Sequence, residues 1–241
     1  MKRPIFPVVF FLLFAGNTLC QYSRAPVTDT TAQVKLWSLY PGYVVTQNGD
    51  TLNGYLLLKN LAANQDKVFF YDHPEDKKYS VKYKPKDLKA YKVGPRYYES
   101  RKFKPPATAS ANDARTYHFI LKVIDGPFSL YRWYYETLEQ SKARLKIDKD
   151  QPLQGRIDLS FSEKDLSHHN YGITPVGEFI DLGSLKMLTN FKKNMSKLVA
   201  DDAELAGKIR NKEEGYGYYN IDRIIREYNA WYLKHHPVQE R

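Results

Sequence analysis

Apolar residues alternate with polar ones, period two, in short segments between residues 43 and 135, and recur at a period near 3.6 after residue 183. The first clear element is a hairpin. Tyr43 to Gln47 and Asp50 to Leu56 flank Asn48-Gly49, a dipeptide suited to a two-residue turn because both positions tolerate positive φ. A two-residue loop would set Val45 opposite Leu52 and Tyr43 opposite Gly54, with Leu56 and Leu58 on the same core-facing side and Thr46, Thr51 and Asn53 on the other. Further strands are predicted at Val68 to Tyr71, at Tyr79, Val81 and Tyr83 alternating with Ser80, Lys82 and Lys84, at Leu88 to Val93, and at Tyr97 to Lys102. Gly94-Pro95 punctuates the last two, and 104–115 reads as an exposed loop.

A second hairpin joins Tyr117–Ile124 to Phe128–Tyr135 through Asp125-Gly126. A two-residue loop would place Val123 opposite Phe128, Leu121 opposite Leu130 and His118 opposite Trp133; Pro127, lacking an N–H, argues for a longer one. Two more strands are predicted around Arg144–Ile147 and Arg156–Phe161, followed by a polar connection over 162–182. Leu185, Leu188, Phe191, Met195 and Leu198 then form a helical stripe, and Asp201 with Glu204 matches a capping box opening a second helix through Ile209. Asn220 stands where it can cap a third helix, which carries Ile221, Ile224, Ile225, Tyr228, Trp231 and Tyr232 on one face.

Strands followed by helices predict an α+β fold: an N-terminal antiparallel β-meander, as a sheet or partly closed barrel, and a C-terminal segment of about three helices. The organisation expected is a leader over 1–20, a loose lead-in over 21–36, a β-rich region over 37–161, the connection over 162–182 and helices over 183–235 packed on the β-region. The leader is read from Lys2-Arg3 and the uncharged apolar run of about eleven residues from Ile5 to Ala15, the length of a signal-peptide core and too short to span a bilayer. Thr18 and Cys20 satisfy the small-residue requirement for cleavage before Gln21, so the expected location is secreted or periplasmic. Lipid anchoring through Cys20 is the alternative, against which Leu19 stands. No later apolar run is long enough to cross a membrane.

Cys20 is the sole cysteine, so disulfide frameworks and cysteine-based zinc sites are excluded. The formal charge of +10 makes the chain attractive to polyanions. Its basic residues are spread along the sequence, so no specific nucleic-acid binding is expected. Twenty tyrosines cluster at Tyr79/Tyr83, Tyr97-Tyr98, Tyr131/Tyr134/Tyr135 and Tyr216/Tyr218/Tyr219, where rings can serve half-buried strands or stack on sugars.

The stretch Gly42-Tyr43-Val44-Val45-Thr46-Gln47-Asn48-Gly49-Asp50-Thr51-Leu52-Asn53-Gly54 resembles the opening module of secreted Bacteroidota proteins of uncharacterised function, which carry a G-Y-[IV]-V-T-x-x-G-D-T-[LI]-x-G pattern. The similarity extends through Tyr83–Leu88 and Tyr97–Ser100, towards Phe128–Tyr131 and Glu227–Asn229. These motifs are turn and strand chemistry. The resemblance implies export and brings no catalytic residues.

No nucleophile elbow, phosphate-binding glycine loop or zinc-protease helix is present. The six histidines include the adjacent pairs His168-His169 and His235-His236, and neighbours on an extended segment point to opposite sides, so no metal site and no cofactor are expected. The function expected is that of an exported, noncatalytic, envelope-associated binding or structural protein. Tyr131, Trp133 and Tyr135 are its candidate binding residues, and an acidic glycan, another envelope polyanion or an envelope protein its candidate partner. The alternative is a hydrolase of an envelope polymer, with Glu163, Asp165 and His168 as its site in the 162–178 loop.

Overall fold

The computed structural model describes residues 28–29, 32–106, 115–137, 163 and 166–237. The expected leader, Cys20, Asp165 and the strands sought at Arg144–Ile147 and Arg156–Phe161 lie outside the described residues. The chain forms an α+β fold, an open antiparallel sheet followed by helices. Its strands are β1 (Ser38–Thr46), β2 (Thr51–Leu58), β3 (Val68–Tyr71), β4 (Val81–Tyr83), β5 (Leu88–Val93), β6 (Arg96–Phe103), β7 (Thr116–Ile124), β8 (Ser129–Tyr135), β9 (Ser167–Ile173) and β10 (Phe179–Asp181). The helices are α1 (Leu185–Thr189), α2 (Phe191–Leu198), α3 (Ala203–Arg210) and α4 (Ile221–His235).

The strand order is β10-β9-β8-β7-β6-β5-β1-β2-β3-β4, two meanders joined where β5 pairs with β1. The sheet curls without closing. Leu56, Leu58, Val68 and Phe70 of β2 and β3 share one buried cluster with Tyr91, Tyr98, Phe119 and Leu121 of β5 to β7, although several strands separate them in the sheet. Tyr91 stacks on Tyr98 and meets Phe119 edge-on, with ring centroids 4.8 Å apart in both pairs. Flat aromatic rings fill the narrow interior of the curl with few rotatable bonds to freeze.

The first hairpin forms one residue out of the expected register. Its loop holds three residues, because Thr46 N–H donates to Asp50 O at 2.9 Å and Gly49 N–H to Thr46 O at 3.0 Å, with Gly49 at φ +101°. The left-handed glycine completes a bulged turn that a two-residue loop lacks. Leu52 therefore opposes Val44, and Gly54 opposes Gly42. Val44, not Val45, enters the core. In the second hairpin Val123 is bulged out of the ladder, Ile124 pairs with Leu130, and Leu121 pairs with Arg132 instead of Leu130. The two-residue slip follows from the longer Pro127 loop and preserves which residues share a face.

The stretch expected as a connection over 162–182 carries β9 and β10. Ser-His-His-Asn-Tyr-Gly-Ile offers no apolar alternation, because its inward polar side chain, Asn170, contacts Arg132 and Tyr218 instead of hydrocarbon. The first helical stripe is broken at Asn190, giving four α-helices among the described residues, and leaves Leu185 exposed. Asp202, not Asp201, caps α3, accepting from Leu205 N–H at 3.1 Å, while Asp201 accepts from the Tyr228 hydroxyl at 2.8 Å. Asn220 precedes α4 but makes no side-chain cap hydrogen bond.

Ile221, Ile224, Ile225 and Tyr228 of α4 meet Val123, Ile124, Phe128 and Leu130 at the tip of the β7–β8 hairpin. Asn229 fixes the docking. Its side-chain oxygen accepts from Phe128 N–H at 2.8 Å and its amide donates to Phe128 O at 2.9 Å, reproducing a strand pair from a helix. Gly126 lies beneath this amide, where a Cβ would come within 2.3 Å of the Asn229 nitrogen. Replacing Asn229 with Ala orphans two buried main-chain groups, and urea denaturation should show a loss of about 1–3 kcal/mol for each.

Candidate functional site

Of the residues that suggested hydrolysis, Glu163 and His168 are described, and both are held in structural contacts. Glu163 forms a two-point ion pair with Arg96, at 2.8 and 2.6 Å, and also accepts from Leu61 N–H at 2.9 Å. A planar guanidinium facing a carboxylate is the strongest such pairing, and it ties 163 to the connection after β2. His168 sits on β9 with its ring 5.6 Å from that of Tyr134. Burial, reinforced by the Arg132 guanidinium, holds its imidazole below the ordinary range. Among the described residues no hydrogen bond joins it to Glu163. His169 instead pairs with Asp181 across β9 and β10 at 2.5 Å.

Tyr131, Trp133 and Tyr135 share one sheet face but not an open one. Tyr131 is 1% exposed and donates to Glu99 at 2.9 Å. Trp133 is 9% exposed, stacked on Tyr135 at 5.6 Å and edge-on to Phe103 at 6.0 Å. Its indole N–H finds no acceptor among the described residues. His118 does approach Trp133, with ring centroids 5.6 Å apart. Among the described residues no group of three or more His, Cys, Asp or Glu converges.

Glu99 is the hub of a buried ionic cluster on β6 to β8. Lys122 reaches it at 2.6 Å and Arg101 at 2.5 Å, and Lys122 also meets Asp125 at 3.0 Å. Burial pushes the Glu99 carboxyl up, but Lys122 and Arg101 together outweigh it and hold the carboxyl below the ordinary glutamate range.

Below this cluster β7 and β8 part. Their ladder ends at Leu121–Arg132, while β7 continues on β6 and β8 continues on β9. Into the gap reaches Gln65, buried in the connection between β2 and β3. Its amide donates to Tyr134 O at 2.6 Å, and its oxygen accepts from Tyr134 N–H at 2.8 Å. The crevice beside it, about 460 Å³, is walled by His118, Trp133 and Tyr135.

Gln65, Asp66 and His118 also form part of the wall of a wider groove of about 800 Å³. Lys67, Lys82, Lys84, Lys86, Lys102 and Arg115 line it, with Asp66 as its one acidic group among the described residues. Asp66 pairs with Lys67 at 3.1 Å. Lys82, Lys84, Lys86, Lys102 and Arg115 make no ion pair with any described residue. Lys82 and Lys84 were legible as the polar half of a strand alternation; that Lys102 and Arg115 join them depends on β6–β7 pairing, which spacing alone does not reveal.

Comparison with family models, curated proteins and solved structures gives no match. Among the described residues no helix is long and apolar enough to cross a membrane.

The Glu99 cluster makes stability depend on pH. Because the folded carboxyl is depressed, the unfolded chain takes up the proton first, so its stabilisation is present above the ordinary glutamate pKa of about 4.3 and is lost as pH falls through the folded value. Glu99→Gln should cost about 3–5 kcal/mol at pH 7 by leaving Lys122 and Arg101 short of a partner. Denaturation curves between pH 7 and pH 3 should show its deficit relative to wild type shrinking towards the acid end.

Proposed function

We propose that this is an exported, noncatalytic, envelope-associated module that binds a polyanion in the basic groove. One observation carries the reading: five cationic side chains line a single concavity without an acidic partner among the described residues. Like charges held together repel one another, and an anionic polymer relieves that repulsion while releasing its own counterions. Lys82 on the edge strand β4, with Lys84 just after it, also keeps that edge from pairing with other chains. That role does not require Lys102 from β6 or Arg115 beside β7 to converge on the same space. The signal-like N-terminal sequence supports export, and the formal charge of +10 supports an anionic partner.

The test is the triple charge reversal Lys82→Glu, Lys84→Glu and Lys86→Glu. All three residues are exposed, so the fold should survive. Affinity for dextran sulfate at low salt should fall by about tenfold or more, and the salt dependence of the residual binding should flatten. His168→Ala should leave binding unchanged. Wild-type affinity in the triple variant would overturn the proposal.

A further inference from the structure

Next to the groove lies a buried cation without a partner. Lys59 is 6% exposed, and its ammonium stands 4.1 Å from the Phe69 ring centroid and 6.0 Å from that of Trp37. No carboxylate or other acceptor bonds it among the described residues. Burial, together with nearby Lys67, pushes its pKa down to about 8, and the Asp66 carboxylate offsets only part of this. Around it stand rings facing solvent. Trp37 is 54% exposed and Tyr79 is 45% exposed, with Tyr79 4.7 Å from Phe69. Trp37 holds its side chain out from a left-handed backbone, φ 59°, secured by a 2.7 Å hydrogen bond to Leu58 O. This patch adjoins the groove: Phe69 pairs across the strands with Lys82, and Lys67 lies two residues before Phe69.

Resting on the groove reading, we infer that the polyanion is a carboxylated polysaccharide, with Lys59 receiving a uronate carboxylate and Trp37 and Tyr79 supporting the sugar rings. The chemistry favours this class. Sugar faces carry C–H groups that lie against aromatic rings, and their carboxylates supply the acceptor that Lys59 lacks. Base stacking requires free ring faces, but the Lys59 ammonium occupies one face of Phe69, and Phe69 and Tyr79 are inclined at 51°.

Calorimetric titration and tryptophan fluorescence with polygalacturonate, polyphosphate and poly(dT) test the inference on the mature chain. Trp37→Ala, Tyr79→Ala and Lys59→Met should each weaken polygalacturonate binding about tenfold, while polyphosphate binding changes by less than about twofold. Trp37→Tyr should restore most of the affinity. Polygalacturonate should shift wild-type emission to the blue and leave Trp37→Phe emission unchanged. Circular dichroism reports whether each variant folds, and Trp37 and Tyr79 are exposed enough to be replaced without disturbing the core. Wild-type polygalacturonate affinity in folded Trp37→Ala and Tyr79→Ala would overturn the inference, as would poly(dT) binding with the same dependence on Trp37. If the groove charge reversal abolishes binding of all three polymers while the ring variants do not matter, the groove reading stands and this one falls. If ring-dependent polygalacturonate binding survives the reversal, the groove reading falls and the ring platform stands by itself.

Discussion

The amide of Gln65 does for this sheet what a neighbouring strand would otherwise do. Where β7 and β8 separate, the main chain of Tyr134 loses a partner, and a buried N–H and C=O cannot be left unpaired without a cost of roughly 1–3 kcal/mol each. Gln65 supplies one donor and one acceptor in a plane, the pattern of a peptide group. It can do so because its own connection is anchored: Asn64 accepts from Lys59 N–H at 2.7 Å and donates to Leu57 O at 3.3 Å. Arg96 reaches the same turn through Lys59 O at 3.2 Å. The crevice and the basic groove share Gln65 in their walls, so both surfaces depend on this one side chain holding the curl in place.

A similar substitution recurs at the other end of the sheet, where Asn229 pairs with Phe128 from a helix. Amides thus complete hydrogen bonding wherever strand pairing stops, and the buried charges do comparable work. Arg96 with Glu163, and Glu99 with Lys122, join segments far apart in sequence, while Arg101 meets Glu99 from two positions along the same strand. Buried pairs of this kind add little stability compared with apolar substitutes, yet removing one partner is costly. Their contribution is to specify which segments meet. Glu163, one of the carboxylates considered for catalysis, is occupied in that way.

The α+β order of strands and helices was legible in the sequence because it rests on periodicity, which survives small errors of register. Register was not. A single left-handed glycine, Gly49, lengthened the first loop by one residue and exchanged Val45 for Val44 in the core. β9 was invisible because its inward positions are filled by groups satisfied through hydrogen bonds instead of hydrophobic burial. Tyr131 and Trp133 were correctly grouped on one face, but exposure is a property of what covers a face, and Phe103, Tyr171 and the Glu99 cluster cover this one. The basic groove was only half legible, since its two halves come from hairpins that meet through the curl.

Tyrosine divides along the same line between interior and surface. Tyr91, Tyr98, Tyr131, Tyr171 and Tyr228 are among the largest fully buried side chains, drawn in because flat rings suit a tightly curled sheet. The rings left outside are therefore the informative ones. Trp37 stands by the Lys59 ammonium and Tyr79 against Phe69, and among the described residues no carboxylate bonds that ammonium. Every other cation this deeply buried is matched: Arg96 by Glu163, Lys122 by Glu99 and Asp125. Among the described residues Lys59 is thus the deeply buried cation that no carboxylate bonds, and it lies next to lysines that are likewise without an ion-pair partner, which is why the proposed carboxylate is placed there.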